Sequence, residues 1–240
     1  MTLRLLLLSN STQHGQGYLG HAMPAIRDFL GAVSRLAFVP FALHDREAYT
    51  ARVRARFEKE GIAVDGLRPD AAAASRLDAA EAVFVGGGNT FRLLDTLHRT
   101  GLLDALRRRV RSGAPYLGAS AGTNIAAPTI KTTNDMPIVQ PSGFAALGLV
   151  PFQINPHYLD PDPSSRHMGE TREERLREFL EENDAAVVGL REGAWLRLEG
   201  SSLRLGGLRG ARIFRGGHDP EEVAPGASLD ALLGGSGTFT

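Results

Sequence analysis

The chain contains no cysteine and only two lysines, Lys59 and Lys131, among its 240 residues. The absence of cysteine excludes a thiol nucleophile, a disulfide and a thiolate metal site. No apolar run approaches the ~20 residues that a membrane-spanning helix requires. The leucines at Leu5 to Leu8 end at Ser9 without a signal-peptide cleavage site. From these absences we expect a cytoplasmic protein.

An excess of charge of either sign is also lacking, because 27 basic residues balance 27 acidic ones. A neutral chain has no general electrostatic attraction for nucleic acid or for an anionic membrane, so we expect neither as a partner. Hydrophobic residues make up 42% and charged residues 22%, which is the composition of a folded globular protein.

Short apolar runs alternate with amphipathic segments in the first half of the chain, which predicts an α/β fold: a mostly parallel sheet flanked by helices on both faces. The predicted strands are 4–8, 37–43, 62–67 and 82–85, and the predicted helices are 22–36, 47–60, 89–98 and 102–111. A further helix is expected at 171–182. Four short strands then follow, at 186–190, 194–198, 202–205 and 211–214, which indicate an antiparallel C-terminal edge. We expect one domain over residues 1–232 and a flexible tail over 233–240.

The strongest chemical signal is Gly-x-Ser-x-Gly, which places Ser120 between Gly118 and Gly122 after a short strand and before a helix. This order is typical of a sharp turn that projects a nucleophilic serine above a sheet. The helix N-terminus behind it stabilises a developing anion, so we expect the N–H of Ala121 to be one oxyanion donor.

Three glycines, Gly86 to Gly88, follow another predicted strand and precede a predicted helix, as Ser120 does. A tight turn or a phosphate cradle would use glycine too, but the Lys-Ser/Thr of a nucleotide-binding loop is absent. Glycine allows the main chain to approach a substrate carbonyl closely, so we assign the second oxyanion donor to Gly88, with Gly87 as the alternative.

A serine nucleophile requires a general base, for which His157 is the strongest of seven histidines. It follows the apolar run 149–154, and ligand sites of α/β sheets gather at the carboxyl ends of strands. His167 is the nearest rival. Asp135 and Glu192, both at predicted loop positions, could each orient the imidazole, and the residues alone leave the two open.

These motifs together resemble the peptidase E family of serine peptidases. The resemblance extends to about residue 215, and its motifs occur in the family's order at 86–90, 118–122, 132–137, 154–157 and 169–173, with the opening Leu-Leu-Leu-Ser-Asn-Ser at 6–11. It implies a fold similar to class I glutamine amidotransferases, and hydrolysis of dipeptides that begin with an α-linked aspartate. Carried over by motif, Ser120 is the nucleophile and His157 the base, while both Asp135 and Glu192 match as the acid.

A substrate of this class carries a side-chain carboxylate, which favours arginine as its partner, and an α-ammonium, which favours a carboxylate. We assign Arg172 to the substrate carboxylate and Asn89 to substrate binding. Whichever of Asp135 and Glu192 does not orient the imidazole is expected to bind the ammonium. One departure from the family pattern is Ala119, where a bulkier residue is expected, and we expect a wider pocket from it.

Two rival functions remain open at this point. One is a cyanophycinase-like serine hydrolase acting on an aspartate-rich substrate, and the other is a non-catalytic amidotransferase-like protein that binds a small molecule. In every case we expect no metal and no other cofactor. A small peptide is the expected partner, and the expected state is a monomer or homodimer.

Overall fold

The computed structural model describes residues 2–162, 164, 168–235 and 237–239. Its strands are β1 (Arg4–Leu8), β2 (Arg35–Val39), β3 (Ala63–Gly66), β4 (Ala82–Val85), β5 (Tyr116–Ala119), β6 (Gln153–Tyr158), β7 (Val187–Arg191), β8 (Ala194–Glu199), β9 (Ser202–Gly207), β10 (Ala211–Phe214) and β11 (Glu221–Val223). Its α-helices are α1 (Met23–Leu30), α2 (Arg46–Glu58), α3 (Ala73–Asp78), α4 (Thr90–Arg99), α5 (Leu102–Arg111), α6 (Ala121–Asn124) and α7 (Arg172–Glu182). None of the described helices is long and apolar enough to cross a membrane.

The main sheet has seven strands in the order β3-β2-β4-β5-β1-β8-β9. The first five are parallel, and β8 and β9 continue the sheet as an antiparallel edge. This arrangement confirms the predicted fold class. It also brings the carboxyl ends of β1, β4 and β5 side by side, so the segments that follow these three strands meet at one edge.

The leucines of β1 show why the sheet is covered on both faces. Leu5 and Leu7 pack into one hydrophobic cluster, while Leu6 and Leu8 pack into another on the opposite face. All four are almost fully buried, and each such side chain contributes roughly 2 kcal/mol to folding. A continuous apolar run without alternation is therefore the correct pattern for a central strand that has helices on both sides.

A second sheet of four strands, in the order β11-β10-β7-β6, corrects one prediction. The four C-terminal strands were expected to form one antiparallel edge, but β8 and β9 join the main sheet while β7 and β10 join the second. In that sheet β6 pairs with β7 in parallel, and β10 is antiparallel to β7. Glu192 and Gly193 form the turn in which the chain leaves one sheet and enters the other.

Element boundaries also differ from the predictions at the start of the chain. Helix α1 ends at Leu30, because Gly31 adopts a φ of 60° and its N–H donates to the carbonyl of Arg27. The predicted helix continued to residue 36. The short helix α3 was not predicted. The single domain and flexible tail remain predictions, although the tail begins within a 3-10 helix (Asp230–Gly234) and Thr238 pairs with Asp184.

Candidate active site

Ser120 lies on a sharp bend between β5 and α6. Its φ of 53° and ψ of −110° are unusual for a residue with a side chain, and its N–H donates to the carbonyl of Leu8 in the neighbouring strand at 3.1 Å. Steric crowding requires glycine on both sides of this bend. A Cβ at Gly118 would lie 2.7 Å from the carbonyl oxygen of Gly122, and one at Gly122 would lie 2.1 Å from that of Val85.

His157 also has a left-handed backbone, with a φ of 55°, at an irregularity in the pairing of β6 with β7. The prediction placed it just past a strand, whereas it lies inside β6. Ser9, fully buried at the end of β1, holds this distortion: its Oγ accepts from the N–H of His157 at 2.9 Å and donates to the carbonyl of Leu190 at 2.7 Å. The bulge turns the imidazole towards the main sheet.

A hydrogen-bonded chain links the serine, the histidine and an acid. Nε2 of His157 lies 2.9 Å from Oγ of Ser120, and Nδ1 lies 2.6 Å from Oε1 of Glu192. Glu192 accepts only if Nδ1 carries the proton, which leaves Nε2 free to accept from the serine hydroxyl. The acid that remained open from the sequence is therefore Glu192 by geometry.

Asp135 lines the same cavity but faces a different partner. Its Oδ2 accepts from the N–H and the hydroxyl of Thr90, at 2.7 and 2.6 Å, so it is tied to the N-terminus of α4. Its Oδ1 has no hydrogen-bond partner among the residues the structure describes. The structure thus separates the two candidate acids: one carboxylate supports the imidazole, and the other presents a free oxygen to the cavity.

The main-chain N–H groups of Gly88 and Ala121, both near Ser120, have no hydrogen-bond partner in the described part of the chain. With Gly87 as the alternative, the predicted second oxyanion donor stays the N–H of Gly88. Its φ of 132° and its close approach to Ala42 both require glycine.

The cavity above Ser120 has a volume of about 360 Å³, which is at the small end of sites for small molecules. Arg172, at the start of α7, reaches its lining and forms no hydrogen bond or close ion pair with any described residue. Burial lowers the pKa of its guanidinium, nearby Arg175 lowers it further, and Asp135 opposes both. A half-buried cation without a close counter-ion suits an anionic ligand.

Other predicted site residues have different surroundings. The side chain of Asn89 caps α4 by accepting from Arg92, and donates to the carbonyl of Met136 at 2.9 Å. It holds the 132–137 loop, and its predicted contact with substrate stays untested. Ala119 is buried in the core, away from the cavity lining, so it does not widen the pocket. His167, the rival base, lies outside the described residues.

Sequence reasoning missed three supporting residues, Ser9, Asn10 and Thr90. Asn10 accepts from the N–H of Gly193 at 2.8 Å and so fixes the turn that carries Glu192. The available signal was their position, because Ser9 and Asn10 are polar, buried and placed directly after a central strand. Among the described residues, no group of three His, Asp or Glu side chains is placed to hold a metal ion.

An α/β sheet that presents a strained serine, a histidine and a glutamate in hydrogen-bond contact defines a serine hydrolase. The model of peptidase family S51 matches residues 5–206. The chain belongs to this family, and it is a serine peptidase.

Curated relatives and solved structures agree with this assignment. The chain is 63% identical to a protein of Streptomyces coelicolor named peptidase E, over 99% of this chain and 98% of that one. It is 50% identical to a Drosophila melanogaster protein named "Probable alpha-aspartyl dipeptidase", over 95% and 97% of the two chains. The crystal structure of a Listeria monocytogenes protein, described as a "Putative Peptidase E Protein", superimposes with a TM-score of 0.68 at 23% identity, covering 87% of this chain and all of that one, and so supports the fold.

Proposed function

We propose that this protein hydrolyses dipeptides that begin with an α-linked aspartate, through an acyl-enzyme on Ser120. Membership of family S51 and the names of the relatives support the class of reaction. The observation that carries the substrate assignment is the unpaired guanidinium of Arg172 on the lining of the cavity that contains Ser120.

In the first half of the reaction, Nε2 of His157 takes the proton of the Ser120 hydroxyl as its oxygen attacks the peptide carbonyl. The N–H groups of Gly88 and Ala121 donate to the oxyanion, and each such donor contributes about 3 kcal/mol to transition-state stabilisation. Glu192 holds the imidazole in the required tautomer and stabilises its protonated form.

In the second half, His157 gives its proton to the leaving amine, the peptide C–N bond breaks and the aspartyl group remains esterified to Ser120. The imidazole then removes a proton from water, the hydroxide attacks the ester carbonyl, and the serine oxygen takes the proton back from His157 as aspartate leaves. No cofactor takes part in either step.

Recognition of the aspartyl group follows from the two charged side chains that face the cavity. Arg172 donates to the side-chain carboxylate of the substrate, because its planar N–H groups match a carboxylate in two parallel hydrogen bonds. The free Oδ1 of Asp135 accepts from the α-ammonium. An N-terminal residue other than aspartate places its carboxylate at another depth, or has none.

The test compares hydrolysis of Asp-Leu, Glu-Leu and Ala-Leu by the unmodified enzyme, Ser120→Ala and Arg172→Ala. We expect Ser120→Ala to abolish turnover, and Arg172→Ala to lower kcat/KM for Asp-Leu by about 100-fold, the cost of losing a charged bidentate contact. Arg175→Ala is the matched control, since Arg175 lies on the same helix and pairs with Glu170. An equal loss on all three dipeptides would refute the role of Arg172.

The cytoplasmic location and the monomeric or homodimeric state expected from the sequence stay predictions, and so does the absence of a nucleic-acid or membrane partner. Size-exclusion chromatography with light scattering measures the oligomeric state directly.

A further inference from the structure

A second cavity, of about 210 Å³, lies on the far side of the catalytic acid. Leu159 and Glu192 line both this cavity and the one above Ser120, so the two are neighbours. The remaining lining includes Gln13, Asp160, Arg191 and Arg209. None of these four takes part in the mechanism above.

One charged side chain of this cavity has no close ion pair. Arg191 binds both oxygens of Asp160 at 2.7 Å and also pairs with Glu222, so its charge is compensated. Oε1 of Glu192 is hydrogen-bonded to Nδ1 of His157. Arg209, in contrast, forms no ion pair or hydrogen bond with any residue in the described ranges. The cavity therefore contains one guanidinium that is not tied to a neighbouring side chain.

The main chain around Arg209 is fixed relative to the catalytic acid. The N–H of the preceding Leu208 donates to the carbonyl of Gly193 at 2.9 Å, directly after Glu192. Gly207 packs so closely there that a Cβ would lie 2.2 Å from the same carbonyl oxygen. The side-chain amide of Gln13 lies against Gly193 as well. Gln13 and the main chain beside Arg209, whose side chain is exposed, are thus held at one end of this cavity.

The direction in which the leaving residue departs indicates what Arg209 and Gln13 could bind. His157 protonates the leaving amine, so the leaving residue lies on the imidazole side of Ser120, where Glu192 and Leu159 separate the two cavities. In a dipeptide that residue carries a free carboxylate one carbon away from the amine. Arg172 and Asp135, which are assigned to the aspartyl group, line the cavity above Ser120 and not this second cavity.

We propose that Arg209, assisted by Gln13, binds the C-terminal carboxylate of the leaving residue and thereby favours dipeptides over longer or blocked peptides. This inference depends on the proposed function, because it concerns the second residue of the same substrate. Leu159, 60% exposed, offers an apolar surface for the side chain of that residue.

The test measures kcat/KM for Asp-Leu and for its C-terminal amide with the unmodified enzyme and with Arg209→Gln. We expect the substitution to lower kcat/KM for Asp-Leu by about 10-fold, as for a partly exposed charged contact, and for the amide less than about 2-fold. Comparing the two ratios removes the intrinsic difference between the leaving amines. Arg108→Gln, an exposed arginine of α5 without a partner among the described residues, is the matched control and should change neither value.

Two results would overturn the inference alone: an equal loss on both substrates, or no loss on either. If the unmodified enzyme cleaves no aspartyl dipeptide, the proposed function fails and the inference fails with it. A urea unfolding curve for Arg209→Gln that matches the unmodified enzyme separates lost recognition from lost folding.

Discussion

Replacing Gly122 with alanine tests whether close packing beneath the serine sets the geometry of the active site. The added Cβ would lie 2.1 Å from the carbonyl oxygen of Val85 and 2.8 Å from its carbonyl carbon. Relief of these contacts requires a shift of about 1 Å, and overpacking of this kind costs about 1–3 kcal/mol of folding free energy. Val85 ends β4 and leads directly into the glycines that carry the second oxyanion donor, so the shift also moves Gly88 relative to Ser120.

We therefore expect Gly122→Ala to lower kcat for Asp-Leu by about 100-fold, the effect of a 1 Å misplacement of catalytic groups, with little change in KM. Steady-state kinetics and urea unfolding measure the two effects on the same preparation. Gly143→Ala is the control, because its Cβ would meet nothing within 4 Å. Unchanged kcat in a folded Gly122→Ala variant would refute the reasoning.

Three further predictions concern residues around the hydrogen-bonded chain. Ser9→Ala removes the hydroxyl that accepts from the N–H of His157 and donates to the carbonyl of Leu190, and should lower the free energy of unfolding by about 2–4 kcal/mol in urea titrations; an unchanged value would contradict this. Glu192→Gln should lower kcat for Asp-Leu at least about 10-fold, whereas Asp135→Asn should mainly raise KM; the reverse pattern would exchange their roles. Burial lowers the pKa of His21 below 6.5, with Glu192 opposing, and both of its ring nitrogens lack a partner among the described residues, so stability should fall as the pH drops below about 6.5. His21→Phe should flatten that part of the stability curve, measured by urea unfolding at several pH values, and an unchanged slope would contradict it.

The sign of the His21 effect follows from proton uptake. A histidine whose pKa is lowered on folding binds its proton more readily in the unfolded chain, so protonation favours unfolding. The contribution of neutral His21 is fully present above the unfolded pKa of about 6.5, and it is lost as the pH falls through the lower folded value.

The serine turn could be predicted from sequence because its causes are local. Gly118 and Gly122 are needed within a few residues of Ser120, and the strand before it is a short apolar run. The same holds for Gly88, whose strained backbone allows only glycine. Short-range steric rules of this kind leave a visible mark in the sequence.

The orienting acid could not be predicted, because its position depends on contacts between distant segments. Glu192 reaches His157 only because β6 pairs with β7 in parallel and the following turn is fixed by Asn10, 183 residues away in the chain. Alternating apolar residues identify a strand but not its partner, which is also why the second sheet was missed. The bulge at His157 is held by the buried hydroxyl of Ser9, which follows β1, and it has no local signal in the sequence.

The central claim is that Ser120 is the nucleophile of an aspartyl dipeptidase, and covalent labelling tests it most directly. The enzyme is treated with a fluorophosphonate, the modified residue is identified by peptide mass spectrometry, and the remaining Asp-Leu hydrolysis is measured on the same sample. We predict one label per chain, on Ser120, with activity lost in proportion to labelling and with Asp-Leu slowing the reaction. Full Asp-Leu hydrolysis by a sample whose Ser120 is completely labelled would contradict the account.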